Sequence, residues 1–579
     1  MEFSCGTPTS HAPRFWGPAA VADLRFDRLR LGRLDSLQSG VSMKRVAMLL
    51  AFSLLFTITA LADDEGHHHE DLTANQLGTV HFPTTCTETV QKSFERGVAL
   101  LHSFWYEEAQ KQFEQVAQED PHCAMAHWGI AMSLWHQLWN HPDAKTIKKG
   151  LAEVKKAKSL HTHDDREWGY IAAADAFYGG SRKRDYQARA DAYAKAMDAA
   201  YEHHPEDLEA AAFYALSLLA SAPDHDTTFA NQKKAAAVLE KLFAEEPDHP
   251  GVAHYLIHSY DSPQMAQLGL PAARRYAKIA PSSPHALHMP SHIFARLGLW
   301  QDDIDSNLAS IAATRKTAAM HMGGEGHQFH AMDFLEYAYL QSGREADAQH
   351  LIDEIRAMPA QKDMYGMGFD PRIWALVAFP ARYTLELHHW SDAAALQPVP
   401  DADTGDSAIT YWAQAIGAAH TGNIELVRKD VAQLEAIHGQ LLHEKKKYFA
   451  EAVDQDHQEA SAWLAHAEGK NEDALKILRT IAEREEAEGD EPLAIPAREM
   501  MADMLLDMNH PQEALAEYEA DLKFNPNRFD GLYGAAHAAE LAGKNDKANT
   551  YYTQLLQICA GSSSDRPELS HAKQLVAKK

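Results

Sequence analysis

Along most of this chain the apolar positions fall three or four residues apart, as at Phe334, Leu335, Ala338 and Tyr339. That spacing lays one apolar stripe along a helix, so such residues read as seams between packed helices. No sustained alternation of β-branched residues marks a strand. Ala, Leu, Glu, Lys and Gln dominate instead, residues that lose little on entering a helix. The pattern also repeats. Gly97, Ala109, Phe113 and Pro121 share their spacing with Ala514, Tyr518 and Pro526, with Ala235, Leu239 and Pro247, and with Ala272, Tyr276 and Pro284. Ala548 and Tyr552 follow Ala514 and Tyr518 by 34 residues. A small residue lets two helices approach, a large one four positions later fills their interface, and the proline closes the hairpin.

A 34-residue helix-turn-helix period resembles the tetratricopeptide repeat (TPR) family, in degenerate form, over most of residues 90–560. The resemblance implies an all-α, TPR-type solenoid, a right-handed superhelix in which each hairpin packs only on its neighbours.

Breaks in the pattern divide the array. Extended loops are expected within 140–190, at 221–230 and at 358–371. The run from Gln397 to Ser407 marks a soft boundary between a first array, 81–396, and a second, 408–560. The polar tail 561–579 is expected to fray. At the other end, Met43-Lys44-Arg45, an apolar run from Val46 to Leu61, and Ala60-Leu61-Ala62 ahead of Asp63 read as a signal peptide over 43–62. The run is short for a membrane anchor. Residues 1–42 lack periodicity and read as a doubtful upstream leader, with Met43 the true start. Residues 63–80, with His67-His68-His69 among acids, are expected as a disordered linker. The mature chain is then exported, periplasmic or secreted, without an integral membrane segment.

Cysteine usage fits that compartment. Cys86 precedes the first helix of a predicted hairpin and Cys123 follows the second. Those two ends of an antiparallel pair sit together, so a disulfide is sterically reasonable there. Cys559 has no obvious partner. Charge narrows the partners. With 54 basic against 82 acidic residues the net charge is −28, which argues against nucleic acid and against an electrostatic membrane surface.

Candidate chemistry concentrates in three histidine-bearing segments between Gly251 and Tyr339. Their number is a weak signal in a chain with 35 histidines; register is the better one. Relative to Asp303, which opens the second helix of its hairpin, His285, His288 and His292 lie 18, 15 and 11 residues earlier. Relative to Ala348 the same offsets fall on His330, Asp333 and Tyr337. Extra residues in the turn of the preceding hairpin bring His254 and His258 to the later two offsets. In the TPR family these offsets mark first-helix residues that line the concave groove. Stacked first helices lie about 10 Å apart, so the side chains of three neighbours can converge. His254/His258 and His288/His292 are i, i+4 pairs able to chelate from one turn. His330 and Asp333 add a nitrogen and an oxygen donor. Such a set suits zinc, copper, nickel or iron, not calcium.

The phrases His-Pro-Gly-x-x-His-x-x-x-His (249–258) and His-x-x-His-Met-Pro-Ser-His-Ile (285–293) resemble a subgroup of bacterial secreted TPR proteins. The expectation is an exported scaffold that binds a peptide or protein partner, or a small ligand, in a groove. His254, His258, His285, His288, His292, His330 and Asp333 would line it and hold a divalent transition metal. Tyr255, Asp261, Glu325, His327 and Tyr337 would complete the wall. A metal-dependent hydrolase or oxidoreductase on the same cluster is the alternative. His254 and His258 share the spacing of the zinc-protease helix, but Tyr255 stands where that helix carries its glutamate base. A third reading is an assembly module whose histidines only pack.

Overall fold

A computed structural model describes residues 74–577, except 140, 182–183, 321, 323–325, 361–369 and 490–492. The leader, the signal peptide and Glu325 lie outside the described residues. Every regular element among the described residues is a helix. The chain is an all-α, TPR-type solenoid of antiparallel hairpins, beginning with Glu88–His102 against Tyr106–Glu119 and running to Asn545–Ile558.

The small-large pattern accounts for how the hairpins close. Ala109, Ala235, Ala272, Ala514 and Ala548 are all buried, and so are Phe113, Leu239, Tyr276, Tyr518 and Tyr552. Phe113 shows why the spacing matters. Its ring lies against the next helix at Gly129, where an added Cβ would stand 2.4 Å from it. The structure also joins Cys86 to Cys123, with Cα atoms 4.8 Å apart.

Several expectations are corrected. Much of 140–190 is helical, as Ala144–Ser159 and Asp165–Tyr178. Side-chain oxygens of Asp143 and Asp164 cap those helices, a start signal the loop reading overlooked. The linker reading fails at its end: Ala74–Leu77 is a short helix. Leu77 is buried, Thr79 N donates to the Asp248 carbonyl at 3.1 Å, and Ser282 N donates to that of Gln76 at 3.2 Å. The Gln397–Ser407 break does not divide the core, because Ala381, Leu385 and Ala393 share one apolar cluster with Ala413, Trp463 and Met500. The tail carries a docked helix, Pro567–Val576, with Leu569 and Ala572 buried.

The largest departure concerns which repeats touch. The second array packs back onto the centre of the chain. Trp300 Nε1 donates to the Asn527 carbonyl at 2.8 Å, and Asn527 Nδ2 to that of Gly298 at 3.2 Å. Arg528 reaches Tyr337 and Glu386. The solenoid therefore carries long-range contacts that neighbour-only packing would forbid.

Candidate metal centre

Three consecutive first helices build the site, and their starts are set locally. His249 caps Pro250–Tyr260, its Nδ1 accepting from Val252 N at 3.2 Å, with Pro250 at the first helical position. Ser283 caps Pro284–His288, again with proline first. Pro290 then restarts the helix as Pro290–Arg296, and proline is tolerated at such first-turn positions because its missing N–H would be unpaired anyway. Gly326–Gln341 supplies the third helix.

Two groups of imidazoles converge on these helices. His254, His258 and His285 form one, and His288, His292 and His330 the other; within each, ring nitrogens lie within 4.8 Å of one another. In the first group His254 Nε2 is 3.1 Å from His258 Nε2 and 3.0 Å from His285 Nε2. In the second, His288 Nε2 is 3.1 Å from His292 Nε2, and the His288 and His330 ring centres are 4.2 Å apart. Three nitrogens around one tetrahedral ion at 2.0–2.1 Å would stand roughly 3.3 Å from each other. The three Nε2–Nε2 separations, 3.0, 3.1 and 3.1 Å, are close to that value.

The far sides of the rings fix where the lone pairs point. His254 Nδ1–H donates to the His102 carbonyl at 2.7 Å. Asn307 Nδ2 donates to Asp303 Oδ1 at 2.7 Å, which turns Asn307 Oδ1 toward His288 Nδ1 at 2.7 Å. His292 Nδ1–H donates to Asp261 Oδ2 at 2.8 Å, and Arg296 Nε holds the other oxygen at 3.0 Å. With Nδ1 carrying the proton, Nε2 of all three rings is a bare lone pair. This is the outer-shell arrangement that orients metal-bound histidines. Burial disfavours the charged form of five rings of the two groups. It holds His254, His285, His288 and His330 well below the ordinary imidazole value. Burial, with His292 beside it, lowers His258 to about 3. His327, whose ring centre is 5.0 Å from that of His285, is lowered to about 4 by burial and by His136.

The remaining expected residues are placed differently. Asp333 is turned from the imidazoles to Arg382, at 2.7 Å, so it is not the oxygen donor of either group. Tyr337 is buried under Arg528, which donates to its hydroxyl at 2.7 Å. Tyr255 is buried behind the site with its hydroxyl 2.8 Å from His102 Nδ1. Asp261 is present, but behind His292 and not in a groove wall. Neither Tyr255 nor Asp261 is a free base for a hydrolytic water, since each is held by its partners.

Sequence reasoning missed two contributors. The turn after Glu88–His102 reaches across the solenoid and covers the first group. Phe104, at φ 52°, sits with its ring centre 4.3 Å from that of His254 and 5.5 Å from that of His285. Trp139 lies 5.6 Å from His285. Beneath them His102, Glu209 and His249 also cluster, but every nitrogen there is used. Glu209 takes His102 Nε2 at 2.8 Å and His249 Nε2 at 3.0 Å, while Tyr255 and Val252 N fill the two Nδ1 positions. Burial alone would raise the Glu209 carboxyl; His249 and His102 hold it down at about 2. This is a structural ion-pair knot that carries the carbonyl on which His254 hangs. Nothing in the repeat register links residue 102 to residue 254.

No family model matches this chain, and no curated protein does. Solved structures similar to it are repeat proteins at low identity. A human IFIT1 dimer with m7Gppp-AAAA is 12% identical, covering 80% of this chain and 95% of its own, at a TM-score of 0.34. The APC/C hetero-tetramer Cut9–Hcn1 is 10% identical, covering 75% and 87%, at 0.26. The P58(IPK) TPR domain is 14% identical, covering 64% and 99%, at 0.19. None of these likenesses bears on what the imidazoles do.

Proposed function

We propose that this protein is an exported TPR scaffold whose central repeats hold a divalent transition metal on an all-histidine site. One observation carries the reading. His288 Nε2 and His292 Nε2 face each other at 3.1 Å while both Nδ1 protons are given to Asn307 and Asp261. Two lone pairs at that distance repel unless a cation lies between them. A proton on His288 is disfavoured by burial, whereas a metal ion is favoured by three imidazole donors, two of them with an outer shell already in place. Nitrogen-only donors suit copper, zinc or nickel better than an oxygen-seeking ion.

Export is supported by the signal-like segment at 43–62 and by the Cys86–Cys123 bridge, which belongs in an oxidising compartment. No helix among the described residues is long and apolar enough to cross a membrane. The partner in this reading is a peptide, protein or small ligand that meets the metal from the solenoid's inner face.

Metal analysis of protein purified without an affinity tag tests the proposal. The wild type should hold metal near stoichiometry, and His288→Ala/His292→Ala should lose it while keeping its helical circular dichroism. Metal-free wild type whose thermal stability does not change on adding copper or zinc would refute it.

A further inference from the structure

Resting on the metal reading, we infer that the two imidazole groups form one two-ion centre, with a small anion bridging the ions. The argument starts from direction. One ring of the first group, His254, and two of the second, His288 and His292, point Nδ1 outward, to the His102 carbonyl, to Asn307 and to Asp261. The Nε2 sides therefore turn inward. The groups also touch. The rings of His258 and His292 are 6.5 Å apart centre to centre, and those of His285 and His288 are 6.4 Å apart. Within the groups the same measure runs from 4.2 Å for His288–His330 to 6.4 Å for His258–His285. The gap between groups, 6.4 to 6.5 Å, thus matches the widest spacing inside one to about 0.1 Å, and the imidazoles are continuous across it.

Stoichiometry of donors follows from that continuity. Three protein nitrogens leave a tetrahedral ion one open position, and two such ions in one compartment can share the ligand that fills both. Two-metal sites with bridging oxygen ligands hold their ions about 3.5–4 Å apart. Charge identifies the class of bridge. Imidazole donors bring no negative charge, and the nearest carboxylate, Asp261, is already paired with Arg296 at 3.0 Å. Two divalent cations would stand uncompensated in a buried site, a costly state. A small exogenous anion with an oxygen or nitrogen donor, hydroxide or azide, relieves it. His285 Nδ1, buried without a hydrogen-bond partner, marks the side of the compartment next to Phe104 and Trp139.

The test uses full-length protein loaded with Cu(II) and titrated with azide. The wild type should take up two copper ions per chain. Its Cu(II) electron paramagnetic resonance signal should integrate to well below the copper present, because bridged ions couple. Azide should bring a new charge-transfer absorption at one anion per chain. His292→Ala and, independently, His258→Ala should each retain one ion and recover a full signal for it. The second variant keeps the test open should loss of the Asp261 partner unfold the first. Uptake of a single ion by the wild type overturns the two-ion centre and leaves the metal reading standing. Two ions with a full signal that azide does not alter also overturn it, since the sites are then separate. Uptake of no ion removes the metal reading itself.

Discussion

Two buried polar regions lie at different points along the Gly326–Gln341 helix, one at His330 and the other further on at Tyr337 and Gln341, and they are built on opposite principles. Around Arg528 every N–H of the guanidinium is answered. Its guanidinium is bidentate to Glu499, at 3.0 and 2.7 Å, and to Glu386, at 3.0 and 3.2 Å, and donates to Tyr337 at 2.7 Å. Gln341 joins in, donating to Glu386 at 2.9 Å and accepting from Phe529 N at 2.8 Å. Around His288 the groups are of one kind, imidazoles turned Nε2 to Nε2. A closed network of paired charges needs nothing further and fixes how the second array docks. A cluster of matched acceptors is incomplete by itself. Burial alone does not separate a structural core from a ligand site; donor and acceptor accounting does.

The sharpest way to break this contrast is at Arg528. Arg528→Met leaves Glu386 and Glu499 buried and facing each other, and removing one partner from a buried ion network costs about 3–5 kcal/mol. The expected outcome in chemical denaturation is a loss of that size, with metal content per folded molecule unchanged. Loss of metal in step with stability would mean that the two regions are one cooperative unit.

How much of this was legible from residues alone differs between the two regions. The hairpins and all six triad histidines, His254, His258, His285, His288, His292 and His330, follow from periodic spacing, because a helix fixes which side chains share a face. Asp333 shows where register stops being enough. It shares the helix face, but a basic residue from the next hairpin, Arg382, captures it, and which face a neighbour's charge occupies is not written in spacing. Tyr337 is lost in the same way to Arg528, nearly 200 positions later in the chain. The return of the second array and the reach of His102 and Phe104 across the solenoid depend on superhelical curvature, which sums small rotations over many repeats.

The metal side of the contrast is sharpened by smaller changes. Gly251 lies where a Cβ would come 2.5 Å from His102 Nδ1. Gly251→Ala should therefore displace His102, with an overpacking cost of about 1–3 kcal/mol. It should also weaken metal binding, because the His102 carbonyl orients His254. The glycine of the His-Pro-Gly phrase is thus explained by close approach and not by a turn. Asn307→Leu leaves all six imidazoles in place and removes only the acceptor for His288 Nδ1–H. Isothermal titration should show a roughly 10–100-fold loss of metal affinity for a variant that remains folded. An unchanged affinity would return the Asn307 contact to plain packing.

Acid separates the regions by window. His327 belongs to neither triad, and burial, then His136, lowers it to about 4. An unfolded histidine titrates near 6.5, so as pH falls from about 6.5 toward 4 the unfolded chain takes a proton that the buried ring refuses. Metal-free protein should lose about 1.4 kcal/mol per pH unit in that window for such a residue. His327→Leu should flatten the slope by that amount without changing metal stoichiometry. Glu209 works lower on the scale. Held at about 2 against its ordinary 4.5, it contributes stability that is complete above pH 4.5 and is lost only as pH falls toward 2. Denaturation profiles of the metal-free protein should therefore bend twice, first as the imidazoles charge and then as the carboxylates neutralise. Bound metal should shrink the first bend to the part that uncoordinated rings such as His327 contribute, down to the pH at which protons displace the ion, because coordinated nitrogens have no lone pair left to titrate.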